Sequence, residues 1–204
     1  MLTTIRHLDV RRLVAWLSSR QYAPEGGFSG RTNKLVDGCY SHWVGACFPL
    51  IEAALNGSSD ATSVSESLFH REGLIRYILC CGQDQTKRGG LRDKPGKYVT
   101  FFSTRFHSKF PLSNTNSPAR MSDAYHSCYV LSGLSSAQHQ WRLADPEQDM
   151  LPNGTTPAWA VYSYPEDTQI FDQGDKISTS HPVYAIPQQK QEAIAAYFRA
   201  KEGF

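Results

Sequence analysis

The sequence predicts an all-α fold built from helical hairpins. Apolar residues recur at helical spacing wherever a pattern is clear, and no segment combines period-2 alternation with hairpin turns. A third observation is an internal repeat, in which a Gly-Gly turn precedes an aspartate and a helix at two places in the chain. Repeats of this kind are typical of stacked helical hairpins, arranged in an open solenoid or in a closed α/α barrel.

The first two predicted helices follow from apolar stripes at i, i+3, i+4 and i+7. One covers residues 10–17 and ends before the turn at residues 23–27, which contains proline and glycine. The other covers residues 40–54 and ends at Asn56. Pro49 interrupts this second stripe, so we expect it to kink or split the helix there.

Three further helices have shorter patterns. Ser63 and Glu66 have the spacing of a capping box for a third helix, whose stripe covers residues 68–79. A fourth helix is predicted around residues 125–132 and a fifth around residues 193–198.

The rest of the chain has fewer signals. Residues 99–102 are the best strand candidate. Residues 145–188 are rich in Pro, Gly, Asp and Ser, and we predict no regular structure for them. We expect this segment to pack onto the protein through Trp159, Tyr162 and Tyr164.

Composition excludes several classes of protein. The 204 residues are 40% hydrophobic and 12% aromatic, which argues against disorder. Lys and Arg number 21 against 19 for Asp and Glu, a net charge of +2 that gives no basis for a nucleic-acid partner. No apolar run is long enough to span a bilayer, and the start of the chain does not read as a signal peptide. We therefore expect a cytoplasmic protein whose five cysteines form no disulfides.

The two repeat units contain a candidate metal site. Asp37 has the position of a helix cap, and Cys39 would lie in the first turn, where the helix dipole lowers the pKa of a thiol. His126 opens the matching helix of the second unit and is the favoured third ligand. A carboxylate, a thiolate and an imidazole would form a zinc site with an open fourth position. The residues allow a simpler alternative, in which Asp37 only caps the helix, Cys39 is a core thiol and His126 is a hydrogen-bonded imidazole.

The loop before Cys39 contains candidate anion-binding groups. Arg31 and Lys34 lie in a Gly-rich loop just ahead of a helix, an arrangement that suits phosphate. Phe28, Tyr40 and Trp43 lie beside them in the sequence. Together these groups indicate a ligand with an anionic head and an apolar body, although solvated charges and core aromatics would give the same pattern.

A polar turn at residues 92–97 follows the second Gly-Gly pair. Its carboxylate and cations could serve a phosphate or Mg²⁺, or could form an ordinary charged turn.

Four ordered motifs resemble the β-subunit family of protein farnesyltransferase. They are Gly-Arg-x-Asn-Lys-Leu-Val-Asp-Gly-Cys-Tyr-Ser-x-Trp at 30–43, Asp-Lys-Pro-Gly-Lys at 93–97, Tyr-His-x-Cys-Tyr-x-Leu-Ser-Gly-Leu-Ser at 125–135 and His-Pro-Val-Tyr at 181–184. The resemblance implies an α/α barrel, of which this chain would be the C-terminal part, beginning inside the barrel at Met1. It also implies that the chain alone is unstable and inactive.

The resemblance assigns roles to the candidate residues. It implies the zinc ligands Asp37, Cys39 and His126, with Tyr40 assisting catalysis. It implies that the substrates are bound by Arg31, Lys34, Tyr40, Trp43, Asp123 and Tyr125. It implies that Asp93 assists Mg²⁺ at the diphosphate.

The implied activity is farnesyl transfer from farnesyl diphosphate to the Cys of a C-terminal Cys-a-a-X motif, in a heterodimer with an α subunit. The second and fourth motifs favour this enzyme over the related geranylgeranyltransferases. A truncated, inactive helical-repeat fragment is the other alternative.

Residues 98–120 depart from the pattern. From Gly26 to Asp37 is 11 residues and from Gly89 to Asp123 is 34, an excess of 23. The spacing in the related family gives the same excess. We interpret residues 98–120 as an insertion, derived either from an unspliced intron or from a genuine surface loop.

Overall fold

The structure is a computed structural model that describes residues 7–23, 25–56, 67–94, 121–150, 154, 158–164 and 172–201. Its helices are α1 (Val10–Ser18), α2 (Tyr40–Trp43), α3 (Cys47–Asn56), α4 (Arg71–Arg76), α5 (Ala124–Gln138) and α6 (Gln188–Arg199). A π-helical turn, Tyr77–Gly82, continues α4, and a 3₁₀ turn forms at Gln173–Asp175. The strands are β1 (His139–Leu143) and β2 (Trp159–Ser163).

The predicted helix over residues 40–54 is split, as its proline suggested, but the break comes earlier than predicted. The α2 helix ends at Trp43 and α3 begins at Cys47. Pro49 therefore lies in the first turn of α3, where an N–H has no partner within the helix and its loss costs nothing. The predicted capping box at Ser63 and Glu66, the strand candidate at 99–102 and the insertion at 98–120 lie outside the described residues.

The prediction that residues 145–188 have no regular structure is wrong. The β2 strand pairs antiparallel with β1, with Trp141 opposite Val161. Trp141 and Trp159 are buried together against Ala53 of α3. Strand pairing was hidden in the sequence because each strand depends on a partner about 20 residues away rather than on its own pattern. Trp159 and Tyr164 are buried, as predicted for this segment.

The main core lies between the loop that contains Phe28 and helices α3 to α5. Phe28, Phe48 and Phe69 form a ring cluster, with centroid separations of 4.8 to 5.9 Å. Aliphatic side chains from α4, the π-helical turn and α5 complete it, including Leu74, Ile78, Val130 and Leu134. Burial of this apolar area is the main stabilising contribution to the fold.

The predicted helix near residue 193 exists as α6, but its apolar stripe does not enter the core. Ile194, Tyr197 and Phe198 are 51%, 57% and 44% exposed. Helical spacing thus predicted the helix correctly, but it did not predict that the large apolar side chains of this helix would stay about half exposed.

The two Gly-Gly turns have the same local structure. In the first, Phe28 forms an antiparallel bridge with Gln21, and in the second, Leu91 forms one with Gln83. The chain then places the loop of the first unit against the second, because the Gly38 N–H donates to the Asp93 carbonyl over 2.6 Å. The repeat seen in the sequence is therefore a repeat of structure.

Helices α2 and α5 cross at very short range. A Cβ added to Gly133 would lie 2.3 Å from the Cβ of Ser41, so only glycine permits this approach. The crossing holds the start of α5 beside the segment that leads into α2. Within the described residues, none of the helices combines the length and apolar content needed to cross a bilayer, and all five cysteines are free thiols, as predicted.

Candidate metal centre

Three side chains predicted to bind metal meet in space. One ligand atom each from Asp37, Cys39 and His126 lies within 4.8 Å of the others. His126 Nε2 lies 3.4 Å from Asp37 Oδ1. Within the part of the chain that the structure describes, this is the only such group of three His, Cys, Asp or Glu residues. An oxygen, a sulfur and a nitrogen donor at this separation suit zinc.

A tight turn positions the first two ligands. Asp37 Oδ1 accepts a hydrogen bond from the Cys39 N–H over 3.1 Å. Cys39, rather than Asp37, is the residue that caps α2, so the predicted capping role of Asp37 is wrong. Gly38 between them has no room for a side chain, because an added Cβ would lie 2.7 Å from both the Arg92 carbonyl and Val130 Cγ2. The turn is thus pressed against the second unit.

The Cys39 thiol is harder to ionise than the sequence indicated. Burial, followed by the hydrogen bond and negative charge of Asp37, raises the pKa of Cys39 to about 12. The sequence predicts a lowered pKa from the helix terminus, but α2 has only four residues and its dipole is small beside these effects. The thiolate form therefore requires a cation at this site.

Lys94 balances the charge of Asp37. Its Nζ lies 3.2 Å from Asp37 Oδ2 and 3.2 Å from Asp93 Oδ2. Burial raises the pKa of Asp37, but hydrogen bonds from Cys39 and the charge of Lys94 outweigh burial and leave the pKa below its usual value. Asp37 is therefore a carboxylate at neutral pH, with Oδ1 turned to His126 and Oδ2 held by Lys94.

Asp123 fixes the orientation of His126. As the N-cap of α5, Asp123 accepts the His126 backbone N–H through Oδ1 over 2.8 Å. Its Oδ2 lies 2.7 Å from His126 Nδ1. In the tautomer that donates its Nδ1–H to Asp123, Nε2 would be available to a metal held by Asp37 and Cys39, the usual arrangement behind a histidine metal ligand. Hydrogen bonds from His126 lower the pKa of Asp123.

An aromatic surface adjoins the ligand group. The Trp43 Nε1–H donates to the Tyr125 hydroxyl over 3.1 Å, and these two side chains are 48% and 49% exposed. Tyr129 contacts both rings, with centroids 4.6 Å from Trp43 in a tilted pair and 4.8 Å from Tyr125 in an edge contact. Below them His42 is buried, and burial lowers its pKa. The sequence motifs thus place their aromatics together beside the metal ligands.

The remaining predicted residues occupy different environments. Arg31 and Lys34 are exposed on the loop between Phe28 and Asp37. The Tyr40 ring lies directly against Gly30 of that loop, where an added Cβ would overlap it. Asp93 is 3% exposed and forms an ion pair with Lys94. These positions are compatible with an anion bound near the loop, and their predicted roles remain predictions.

Sequence reasoning missed some contributors. The sequence shows Lys94 only as part of a polar turn, since its contact with Asp37 forms only when the two units meet. The substrate-binding role of Asp123 stays a prediction, but sequence reasoning did not foresee that its carboxylate accepts the His126 backbone N–H and contacts the His126 ring. Its position three residues before His126 is the spacing of an N-cap to the residue it caps, and that signal could have indicated the orienting contact.

The sequence of this chain is similar to the sequences of known proteins. Residues 1–186 match the prenyltransferase alpha-alpha toroid domain, which confirms the predicted α/α barrel class. A protein farnesyltransferase subunit beta from Pyricularia oryzae is 54% identical over 99% of this chain, and its counterpart from Schizosaccharomyces pombe is 34% identical over 99%. A geranylgeranyl transferase type-2 subunit beta from Saccharomyces cerevisiae is 42% identical over 45% of this chain. The chain spans 34%, 42% and 23% of the lengths of these relatives.

Proposed function

The chain belongs to the prenyltransferase α/α toroid family, and on that premise we propose that it is the zinc-binding part of a protein farnesyltransferase β subunit. The reaction would transfer a farnesyl group from farnesyl diphosphate to the cysteine of a C-terminal Cys-a-a-X motif. The observation that carries the proposal is the meeting of Asp37, Cys39 and His126 beside an aromatic surface.

The donor set supports zinc on three grounds. Its atoms are the O, S and N types that zinc prefers, and three protein ligands leave a fourth position for substrate. The Asp123 contact gives His126 the orientation of a metal ligand. Bound zinc would hold the substrate sulfur as a thiolate at neutral pH. Asp37 and Lys94 would keep the net charge around that sulfur low.

The diphosphate is assigned to the loop beside the ligands. We propose that Arg31, Lys34 and Tyr40 bind it and stabilise the negative charge that develops as it leaves. Asp93 would assist Mg²⁺, which proteins often bind through one or two carboxylates together with substrate phosphates. Asp93 is buried and paired with Lys94, whose side chain is 40% exposed, and this position beside the loop is compatible with that limited role.

The apolar body of the substrate is assigned to the aromatic surface. Trp43 and Tyr125 are half exposed and linked by a hydrogen bond, so they form a preordered apolar wall. We also propose that Asp123 contributes to substrate binding indirectly, through His126. The whole enzyme would be a cytoplasmic heterodimer with a farnesyltransferase α subunit.

Geranylgeranyl transfer is the second candidate, because a geranylgeranyl transferase subunit also matches part of the chain. A metal-free, inactive protein is the third. One experiment separates them: the full-length β chain is coexpressed with its α subunit, its zinc content is measured, and transfer to a Cys-a-a-X peptide is assayed with farnesyl and geranylgeranyl diphosphate.

We expect stoichiometric zinc and a preference for farnesyl diphosphate. A preference for the longer diphosphate would favour the second candidate. Absence of both zinc and transfer would refute the proposal.

A further inference from the structure

A buried histidine lies beneath the aromatic surface and has no place in the function proposed above. His42 is 5% exposed and belongs to α2, next to the crossing with α5. Its Nδ1 lies 3.0 Å from the hydroxyl of Ser132, which is 1% exposed on α5. This hydrogen bond joins the two helices that carry the aromatic surface, α2 with Trp43 and α5 with Tyr125 and Tyr129.

The His42 ring touches two rings of that surface. Its centroid lies 5.0 Å from Trp43 in an edge contact and 5.1 Å from Tyr129. Trp43 and Tyr129 also contact each other. Because His42 is buried while Trp43 is half exposed, the imidazole supports the tryptophan from its protein side.

A half-exposed tryptophan needs such support if it is to keep one orientation. Ordering an exposed side chain costs conformational entropy, which a rigid neighbour can remove before the ligand arrives. An imidazole packed only by apolar contact could itself rotate about its side-chain bonds. The bond to Ser132 prevents this rotation, since breaking it would leave a buried hydroxyl and a buried ring nitrogen without partners.

We propose that His42 and Ser132 are positioning residues, whose hydrogen bond fixes the His42 ring and so holds Trp43 in the orientation that receives the apolar chain of farnesyl diphosphate. The inference rests on the proposed function, because it takes Trp43 as part of the substrate pocket. Neither residue needs to touch the substrate or the metal.

The test is the equilibrium dissociation constant for farnesyl diphosphate, measured on the full-length β chain with its α subunit. Ser132→Ala and His42→Phe should each weaken binding about 3- to 10-fold, the effect of one lost buried hydrogen bond. The double variant should bind no more weakly than either single variant, because both partners are then apolar. Zinc content and kcat at saturating substrate should be unchanged.

Ser135→Ala is the matched control. Ser135 is equally buried on α5 and lies 3.4 Å from a histidine ring nitrogen, but that histidine is His139 rather than His42. It also accepts the Ser180 N–H over 2.8 Å. Its loss should lower stability without changing the dissociation constant.

A Trp43→Ala background shows whether the effect passes through the tryptophan. In that background Ser132→Ala should cause no further weakening. Unchanged binding in both single variants, an undiminished effect without Trp43, or an equal effect from Ser135→Ala would overturn the inference. Absence of zinc and of farnesyl diphosphate binding in the unsubstituted enzyme would instead refute the proposed function, and the inference with it.

Discussion

The two Gly-Gly units use the same local structure for different chemical tasks. Each has a turn with one antiparallel bridge, followed by an aspartate whose carboxylate accepts a backbone N–H at the start of a helix. In the first unit, Asp37 is a candidate metal ligand. In the second, Asp123 holds the imidazole of His126, and the histidine is the candidate ligand.

The number of residues between each aspartate and the N–H that its carboxylate accepts explains the difference. Asp37 accepts the N–H of the residue two positions on, which leaves its carboxylate beside the Cys39 thiol. Asp123 accepts the N–H three positions on, and at that distance the side chain of His126 turns back onto the carboxylate. A difference of one residue in this spacing therefore makes Asp37 a candidate metal ligand and makes Asp123 a group that orients one.

The largest effect is expected from removing a ligand of the first unit. Cys39→Ser should weaken zinc binding on the order of 100- to 1000-fold, because structural zinc binding energies divide into a few kcal/mol per ligand. Metal content after dialysis against a chelator measures the loss. Cys128→Ser removes an exposed thiol outside the group and should leave zinc in place; equal loss in both variants would contradict the assignment.

A smaller effect is expected from the second unit. Asp123→Asn keeps a good helix cap but cannot hold the protonated Nδ1 of His126 as strongly, so zinc affinity should fall about 10- to 100-fold. Competition with a chromophoric chelator gives the affinity. The control is Asp9→Asn at the cap of α1, where Asp9 accepts the Arg12 N–H over 3.0 Å. A drop as large as that for Cys39→Ser would mean that the two units do not differ.

Exchanging glycine and alanine directly after each aspartate should lower stability more in the first unit than in the second. Gly38→Ala places a methyl group 2.7 Å from the Arg92 carbonyl and should destabilise the protein by about 1 to 3 kcal/mol. Ala124 is exposed at the corresponding position, so Ala124→Gly should cost under about 1 kcal/mol. Thermal unfolding midpoints compare the two variants, and equal shifts would show that the first turn is not specially confined.

Zinc affinity should depend on pH through the first unit. The pKa of Cys39 is raised to about 12, so metal binding at neutral pH must displace its proton. Affinity should therefore rise about tenfold per pH unit between pH 7.5 and 9 and fall on acidification. A pH series of chelator competition tests this, and a flat profile would mean that the thiol is ionised before the metal binds.

Sequence reasoning brought together the candidate metal ligands because, in each unit, the aspartate and the donor residue lie within three positions of each other. The helices α1 and α5 were likewise predicted from their own stripes and formed where expected. Contacts between units were not visible in the same way. Lys94 lies 57 residues from Asp37, and the pairing of β1 with β2 joins segments about 20 residues apart, so neither leaves a periodic signal.

Some predicted details failed because tertiary contacts outweighed the local effects on which the predictions were based. The helix dipole does lower the pKa of a thiol at a helix start. At Cys39, however, burial and a neighbouring carboxylate raise the pKa by more than a single helical turn lowers it. The apolar stripe of α6 predicted a helix correctly but could not specify its partner. Periodicity describes which residues share a face, and only the tertiary structure says what that face meets.

The crossing at Ser41 and Gly133 also determines how far His126 moves when the two helices rotate relative to each other. His126 lies seven residues from Gly133 along α5, an arm of about 10 Å at 1.5 Å per residue, whereas Cys39 lies only two residues from Ser41. A rotation of about 5° at this pivot would move His126 by about 1 Å, more than a metal site tolerates.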